Sequence, residues 1–226
     1  MKRVVVDGGT CYTKLHYLDS GRRRIVPTRR FFQSRNDYRV AAATGHNAHR
    51  TARRRVNELV ALAEGTMRLV PDDDFTVLDC GARDVKYVTI KGRRVAAMDW
   101  NTECGAFAGQ MIDLLQRYFG IQPDRLPRDS KRIPVVCGVL GMTYLFDRVS
   151  QGATHEEAFA EFLRGVSHNC ESLVGKPDRL YVSGGLCMNR AFLESFSCEV
   201  VPLGRFVLVE GLLSVVGRRG LGFDGP

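Results

Sequence analysis

Two stretches of this chain repeat the same three residues at the same spacing: Asp7-Gly8-Gly9-Thr10-Cys11-Tyr12-Thr13-Lys14 and Asp79-Cys80-Gly81-Ala82-Arg83-Asp84-Val85-Lys86. Both keep Asp, Gly and Lys at relative positions 0, 2 and 7. Glycine lets the backbone approach a bulky anion and offer its N–H groups, and the hydroxyls of Thr10 and Thr13 with the ammonium groups of Lys14 and Lys86 add donors. An aspartate at the end of a strand suits Mg2+, held mostly through water. One Asp-x-Gly is usually a hairpin turn; two at matched offsets, facing each other, would clamp the phosphates of a nucleotide. A third glycine site, Ser183-Gly184-Gly185 in "RLYVSGGLCMNRAFLESF", offers backbone N–H groups and a helix start to a ligand. Neither a Walker loop nor a dinucleotide-binding glycine fingerprint is present, so the nucleotide site is of another type.

The elements that must hold these loops are legible. Val4 to Val6 precede Asp7, and Leu15-His16-Tyr17-Leu18 leads to a turn at Asp19-Ser20-Gly21. Phe75 to Leu78 precede Asp79, and Tyr87-Val88-Thr89-Ile90 leads to a turn at Lys91-Gly92. The plan is strand, tight loop, strand, twice. Leu180 to Val182 read as a buried strand, with a helix from Asn189 on and another near Glu210 to Val216. These elements predict an α/β chain of two related lobes, 1–92 with the first loop and 93–226 beyond it.

Seven cysteines stand at 11, 80, 104, 137, 170, 187 and 198, without a Cys-x-x-Cys. That spacing excludes a zinc knuckle, a self-contained ferredoxin motif and a disulfide scaffold. Reduced thiols serving as small core hydrophobes are the default, Cys104 and Cys137 included. With 44% hydrophobic and 26% charged residues, the composition is that of an ordinary globular protein. The opening Lys2-Arg3-Val4-Val5-Val6 is too short for a secretory leader and the run 206–216 too short for a membrane span, which points to the cytoplasm. Charge is uneven: residues 1–55 hold 14 Lys and Arg against 3 Asp, a net +11 within a total of +8. Its clusters, "GRRRIVPTRR" and "HRTARRR", fit a solvated hairpin edge and helix face or an acidic partner; no aromatic-interleaved pattern supports nucleic-acid reading.

Together, the two Asp-x-Gly hairpins and the late strand-Gly-Gly-helix passage resemble the phosphate and adenosine loops of the actin and sugar-kinase ATPase superfamily. Within it, "VVVDGGTCYTK", "TGHNAHRTARRRVNELVALAEG", "VLDCGARDVKYVTIKGRRVAAMDWNTECGAFAGQMIDLL", "CGVLG" and "LYVSGGLCMN" resemble the activator ATPases of 2-hydroxyacyl-CoA dehydratases and the ATPase subunits of benzoyl-CoA reductase. The resemblance spans nearly the whole chain and is most specific from Asp79 to Gly109.

It implies an actin-like (ribonuclease H-like) fold with a nucleotide cleft between two lobes, and a homodimer sharing one 4Fe-4S cluster. Cys104 and Cys137 of each subunit would supply its four thiolates. Residue chemistry accommodates that, because Asn101 or Thr102 can cap a helix running toward Leu115 with Cys104 in its first turn, where the positive helix end favours thiolate. Cys137, after Ile133-Pro134-Val135-Val136, reads as a strand end or helix start. The implied activity is ATP-driven electron transfer: a ferredoxin or flavodoxin as donor, ATP and Mg2+ at the loops, and an iron-sulfur dehydratase or reductase as acceptor. Asp7 and Asp79 would be the magnesium-side carboxylates; Gly8, Gly9, Thr10, Thr13, Lys14, Gly81 and Lys86 would cradle phosphates; Gly184 and Gly185 would approach the adenosine or its phosphates. Glu58 lies on a segment like the family's and reads equally as a surface carboxylate.

The chain departs from the family pattern at Gly9, where Ser is usual, at Ala82-Arg83, where Gly-Gln is usual, and after Cys137, where "GVLGMTYLFDR" replaces a more acidic stretch; it is also somewhat short. Two other readings remain: a small-molecule kinase with Asp79 or Asp84 as base, and a nucleotide-sensing module without a cluster.

Overall fold

The computed structural model describes residues 1–101, 108–127, 131–135 and 138–219. The chain forms two compact units: Met1–Asp73 with Gly92–Val95 and the residues from Arg205 on, and Asp74–Lys91 with Ala96–Gly204.

In the first unit, β1 (Lys2–Gly8), β2 (Tyr12–Tyr17) and β3 (Arg23–Pro27) form an antiparallel meander, α1 (Thr28–Gln33) follows, and β4 (Tyr38–Thr44) returns parallel to β1. The sheet order is β3-β2-β1-β4. Val4, Val5 and Val6 are fully buried because β1 is covered on both faces. Val4 and Val6 pack with Leu15, Phe31 and Tyr38, while Val5 turns the other way onto Ala42, Val209, Leu212 and Val216. After the short α2 (Ala48–Thr51) comes α3 (Glu58–Leu69), capped by the Asn57 side chain, which accepts from the Leu59 N–H at 2.8 Å. Its partner is the C-terminal α8 (Val207–Arg219). The two helices meet at glycines: a Cβ on Gly65 would lie 2.0 Å from the Val207 carbonyl oxygen, and one on Gly211 would lie 1.8 Å from that of Ala61.

The second unit repeats the plan and extends it. β5 (Phe75–Cys80), β6 (Val85–Lys91) and β7 (Arg94–Asn101, in this unit from Ala96 on) precede α4 (Ala108–Tyr118), α5 (Gly138–Ser150) and α6 (His155–Leu173); β8 (Arg179–Gly184), α7 (Arg190–Glu194) and β9 (Glu199–Gly204) complete it. The order is β7-β6-β5-β8-β9, with β5 antiparallel to β6 and parallel to β8. Leu78 and Val182 join Ile112, Leu115, Phe159, Phe162 and Phe192 in one core. A capping box fixes the start of α6: Thr154 Oγ1 accepts from the Glu157 N–H, and the Glu157 carboxylate accepts from the Thr154 N–H.

The boundary expected at residue 92 falls elsewhere. The hairpin β5–β6 opens the second unit, because β5 pairs with β8, and α8 belongs to the first, because its apolar face is buried on Val5 and Ala42. No helix among the described residues is long and apolar enough to cross a membrane.

Candidate functional site

The offset of seven between Asp and Lys is the arithmetic of a hairpin. In the first, Asp7 stands opposite Lys14 and Gly8 opposite Thr13. Lys14 Nζ donates to Asp7 Oδ2 at 2.8 Å, and the carboxylate is buried. The loop is held from behind: the Gly8 carbonyl accepts from the Asn47 backbone N–H (2.8 Å), and the Gly9 carbonyl accepts from Asn47 Nδ2 (3.0 Å) and the Thr28 hydroxyl (2.9 Å). A planar trans peptide points its N–H opposite to its C=O, so the amides of Gly9 and Thr10 are aimed away from Asn47, ready for an anion. Thr13 braces this shelf rather than lining its open side; its buried hydroxyl lies 3.0 Å from that of Thr28. A Cβ on Gly9 would lie 2.7 Å from the Tyr12 carbonyl oxygen, which accounts for glycine in place of serine in a turn this tight.

The second hairpin has the same register, Asp79 opposite Lys86, with different wiring. Lys86 Nζ, buried, donates to Asp84 Oδ1 at 2.7 Å, and Asp79 accepts from the Ser183 hydroxyl at 2.5 Å. The Gly81 N–H donates to the Asp84 carbonyl at 3.0 Å, which closes the loop, while Arg83 is exposed. Gly184, at φ +85°, ends β8 where a Cβ would sit 2.4 Å from the Cys80 carbonyl oxygen. Gly185 leads into a 3-10 turn and then α7, whose N-terminus is capped by Asn189, its Oδ1 accepting from the Phe192 N–H at 3.1 Å.

The structure adds a correspondence that motif spacing does not reveal. Thr44 stands beside Asp7 in the parallel pair β1–β4 as Ser183 stands beside Asp79 in β5–β8, and each is followed by a glycine of positive φ. A Cβ on Gly45 would lie 2.5 Å from Asp7 Oδ1. Its trace in the sequence is an apolar run ending in hydroxyl-Gly, Ala41-Ala42-Ala43-Thr44-Gly45 against Leu180-Tyr181-Val182-Ser183-Gly184. The Thr44 hydroxyl is fully buried without a hydrogen-bond partner among the described residues. An orphaned hydroxyl next to a buried carboxylate fits a site completed by a hydrated cation and phosphate oxygens, the ligand habit of Mg2+.

Cys104 and Cys137 lie outside the described residues. Downstream of them, α4 begins at Ala108 and α5 at Gly138. The start of α4 is seated on the second loop, where the Gln110 N–H donates to the Ala82 carbonyl at 3.0 Å and a Cβ on Gly109 would lie 2.1 Å from the Gly81 carbonyl oxygen. Cys80, Cys170 and Cys187 are buried, as core residues should be. A hydrogen bond with Cys170, and then burial, pushes the Cys80 thiol well up, and burial pushes Cys198 up to about 11, so both stay protonated. Cys11 is exposed, and Glu58 is the first, half-buried residue of α3.

No family model matches the chain. The curated (R)-2-hydroxyglutaryl-CoA dehydratase activating ATPase of Acidaminococcus fermentans is 23% identical over 167 residues, 69% of this chain and 64% of that protein, so the matched part falls short of two thirds of the relative. The crystal structure of component A of the same dehydratase superposes with a TM-score of 0.75 at 18% identity, covering 97% of this chain and 98% of that one. The Clostridium difficile activator of 2-hydroxyisocaproyl-CoA dehydratase, with bound ADPNP, gives 0.73 at 16% identity over the whole of both chains. The fold is that of the dehydratase activators. The ethanolamine utilization protein EutJ of Carboxydothermus hydrogenoformans, at a TM-score of 0.54 and 12% identity over 95% of this chain and 90% of that one, shares it more distantly. The actin-like class and the likeness to activators expected from the motifs are both borne out.

Proposed function

We propose that the chain is an ATP-driven activator: a homodimer that binds MgATP, hydrolyses it to ADP and phosphate, and couples this to delivery of a low-potential electron to an iron-sulfur dehydratase or related reductase. The observation that carries the reading is the seating of α4. The segment holding Cys104 continues into a helix whose first residues touch the carbonyls of Gly81 and Ala82, so a movement of the second loop on binding or losing phosphate is passed to that helix through backbone contacts. The names of the relatives, one of them holding an ATP analogue, support the nucleotide and the class of partner.

Asp7 and Asp79 are the carboxylates for water-bound Mg2+. The amides of Gly9 and Thr10 meet phosphate oxygens, Gly8 and Gly81 let the phosphates come close to the backbone, Lys14 and Lys86 stand as cations behind them, and Thr13 is a brace. Gly184 and Gly185 let the nucleotide approach β8. Cys104 and Cys137 from each subunit would hold one 4Fe-4S cluster, which supplies a one-electron carrier when bound; a ferredoxin or flavodoxin would be its donor. Thiolates near helix starts are favoured by the positive helix end.

Iron and acid-labile sulfide per chain, measured on protein purified without oxygen, test the reading. About two irons per chain, lost in both Cys104→Ser and Cys137→Ser, is the expected result for a cluster shared by a dimer. Protein that binds ATP yet stays free of iron after reconstitution would hand the case to the kinase or the sensor.

A further inference from the structure

The two basic clusters of the sequence meet in the first unit. Arg29 on α1 and Arg50 on α2 line one open surface cavity of about 630 Å³, together with Thr10 of the first loop, Phe32 and His46. That volume is in the range of small-molecule sites, roughly 300–1,000 Å³, and well beyond what a bare ion fills. No acidic residue lines it among the described residues. Neighbouring arginines are spent differently: Arg23 pairs with Glu210, and Arg35 donates to the backbone carbonyls of Tyr38 and Thr51. Neither Arg29 nor Arg50 has an ion pair among the described residues. The Arg50 guanidinium lies over the Phe32 ring, 4.3 Å from its centroid, which orients the plane and leaves its N–H edge for a ligand. Thr28 and Asn47, also in the wall, already hold the Gly9 carbonyl and so form a fixed floor.

We propose that this cavity is a second anion site, separate from the nucleotide's, that takes a phosphate monoester. Two guanidinium groups on one cavity suit an oxyanion with several acceptor oxygens, and the remaining volume and the ring of Phe32 accommodate an organic body. The nucleotide-side groups of the first unit are the loop amides, the Asp7 carboxylate, Lys14 and Thr44. Apart from Thr10, none of them lines the cavity. The proposal depends on neither the cluster nor ATP turnover.

The test uses the full chain saturated with Mg-ADPNP and titrated calorimetrically with inorganic phosphate and with glycerol 3-phosphate. Saturable binding of the ester is expected, weakened about tenfold or more in Arg29→Gln and in Arg50→Gln, with ADPNP affinity changed by less than about twofold. Tighter binding of the ester than of phosphate is the expected result; binding of phosphate as tight as or tighter than the ester overturns the monoester in favour of free phosphate. The proposal is overturned if neither anion binds, or if both are displaced by ADPNP while the variants lose ADPNP affinity, which would make the cavity part of the nucleotide site. Binding of poly-glutamate but not of phosphate would overturn it in favour of an acidic protein partner.

Discussion

The two loops have one backbone plan and two wirings. In the first, the strand aspartate is matched to the strand lysine, Asp7 to Lys14, and the hydroxyl beside it, Thr44, has no partner among the described residues. In the second, the hydroxyl of Ser183 bonds to Asp79, and Lys86 donates to Asp84 within the loop. Register alone therefore does not decide which groups meet. The second loop is satisfied by Asp84 within it and by Ser183 of β8, whereas the first keeps one buried polar group in reserve, which is where a ligand has most to offer.

The largest expected effect tests the shared plan. Gly184→Ala would set a methyl 2.4 Å from the Cys80 carbonyl oxygen, with two more Cys80 backbone atoms within 2.9 Å, at φ +85°. Strain and overpacking together should cost about 3 kcal/mol in urea denaturation. Gly45→Ala meets the Asp7 carboxylate at 2.5 Å and two Gly8 backbone atoms at 2.9 Å, so its closest backbone contact is less tight than that of Gly184, and should cost about 2 kcal/mol. If either change is tolerated without loss of stability, the two glycines do not play matching parts.

The next pair should differ in sign. Ser183→Ala removes a donor from buried Asp79 and should cost about 1–2 kcal/mol. Thr44→Val removes a buried hydroxyl without a partner and should stabilise the ligand-free protein by up to about 1 kcal/mol while weakening Mg-ADPNP binding. If Thr44→Val destabilises like Ser183→Ala, the reserve in the first loop does not exist.

Much of this frame was legible in the sequence. The strand–loop–strand plan shows because apolar runs end at Asp and turns carry glycine, and the Asp–Lys offset is fixed by hairpin register. The pairing of Thr44 with Asp7 and of Ser183 with Asp79 was not legible, since it depends on parallel strands separated from their hairpins by very different lengths of chain. Lys91-Gly92 read as the end of a lobe because a turn is a local signal, whereas membership of a unit is decided by the distant partners of β5 and α8. Seating of α4 on Gly81 and Ala82 likewise joins residues that no local pattern connects.

The smallest effect sharpens the comparison between the hairpins themselves. Nine residues after each aspartate stand His16 and Val88, opposite Val5 and Val77 in their pairs. Burial, and then the charge of Arg23, lowers the pKa of His16 below its ordinary value, and its Nδ1 is buried without a partner among the described residues. The folded state thus favours the neutral ring, and the unfolded chain binds the extra proton first. Stability from this source is complete above the unfolded pKa of about 6.5 and is lost as pH falls through the lowered folded value. His16→Val, which copies the second hairpin, should remove that acid limb. In urea denaturation at about pH 8 and about pH 5, the variant's stability relative to the parent should rise on acidification, since carboxylates common to both cancel. A difference that does not change with pH would mean that His16 titrates in the fold as it does in the open chain, and that the two hairpins respond alike to acid.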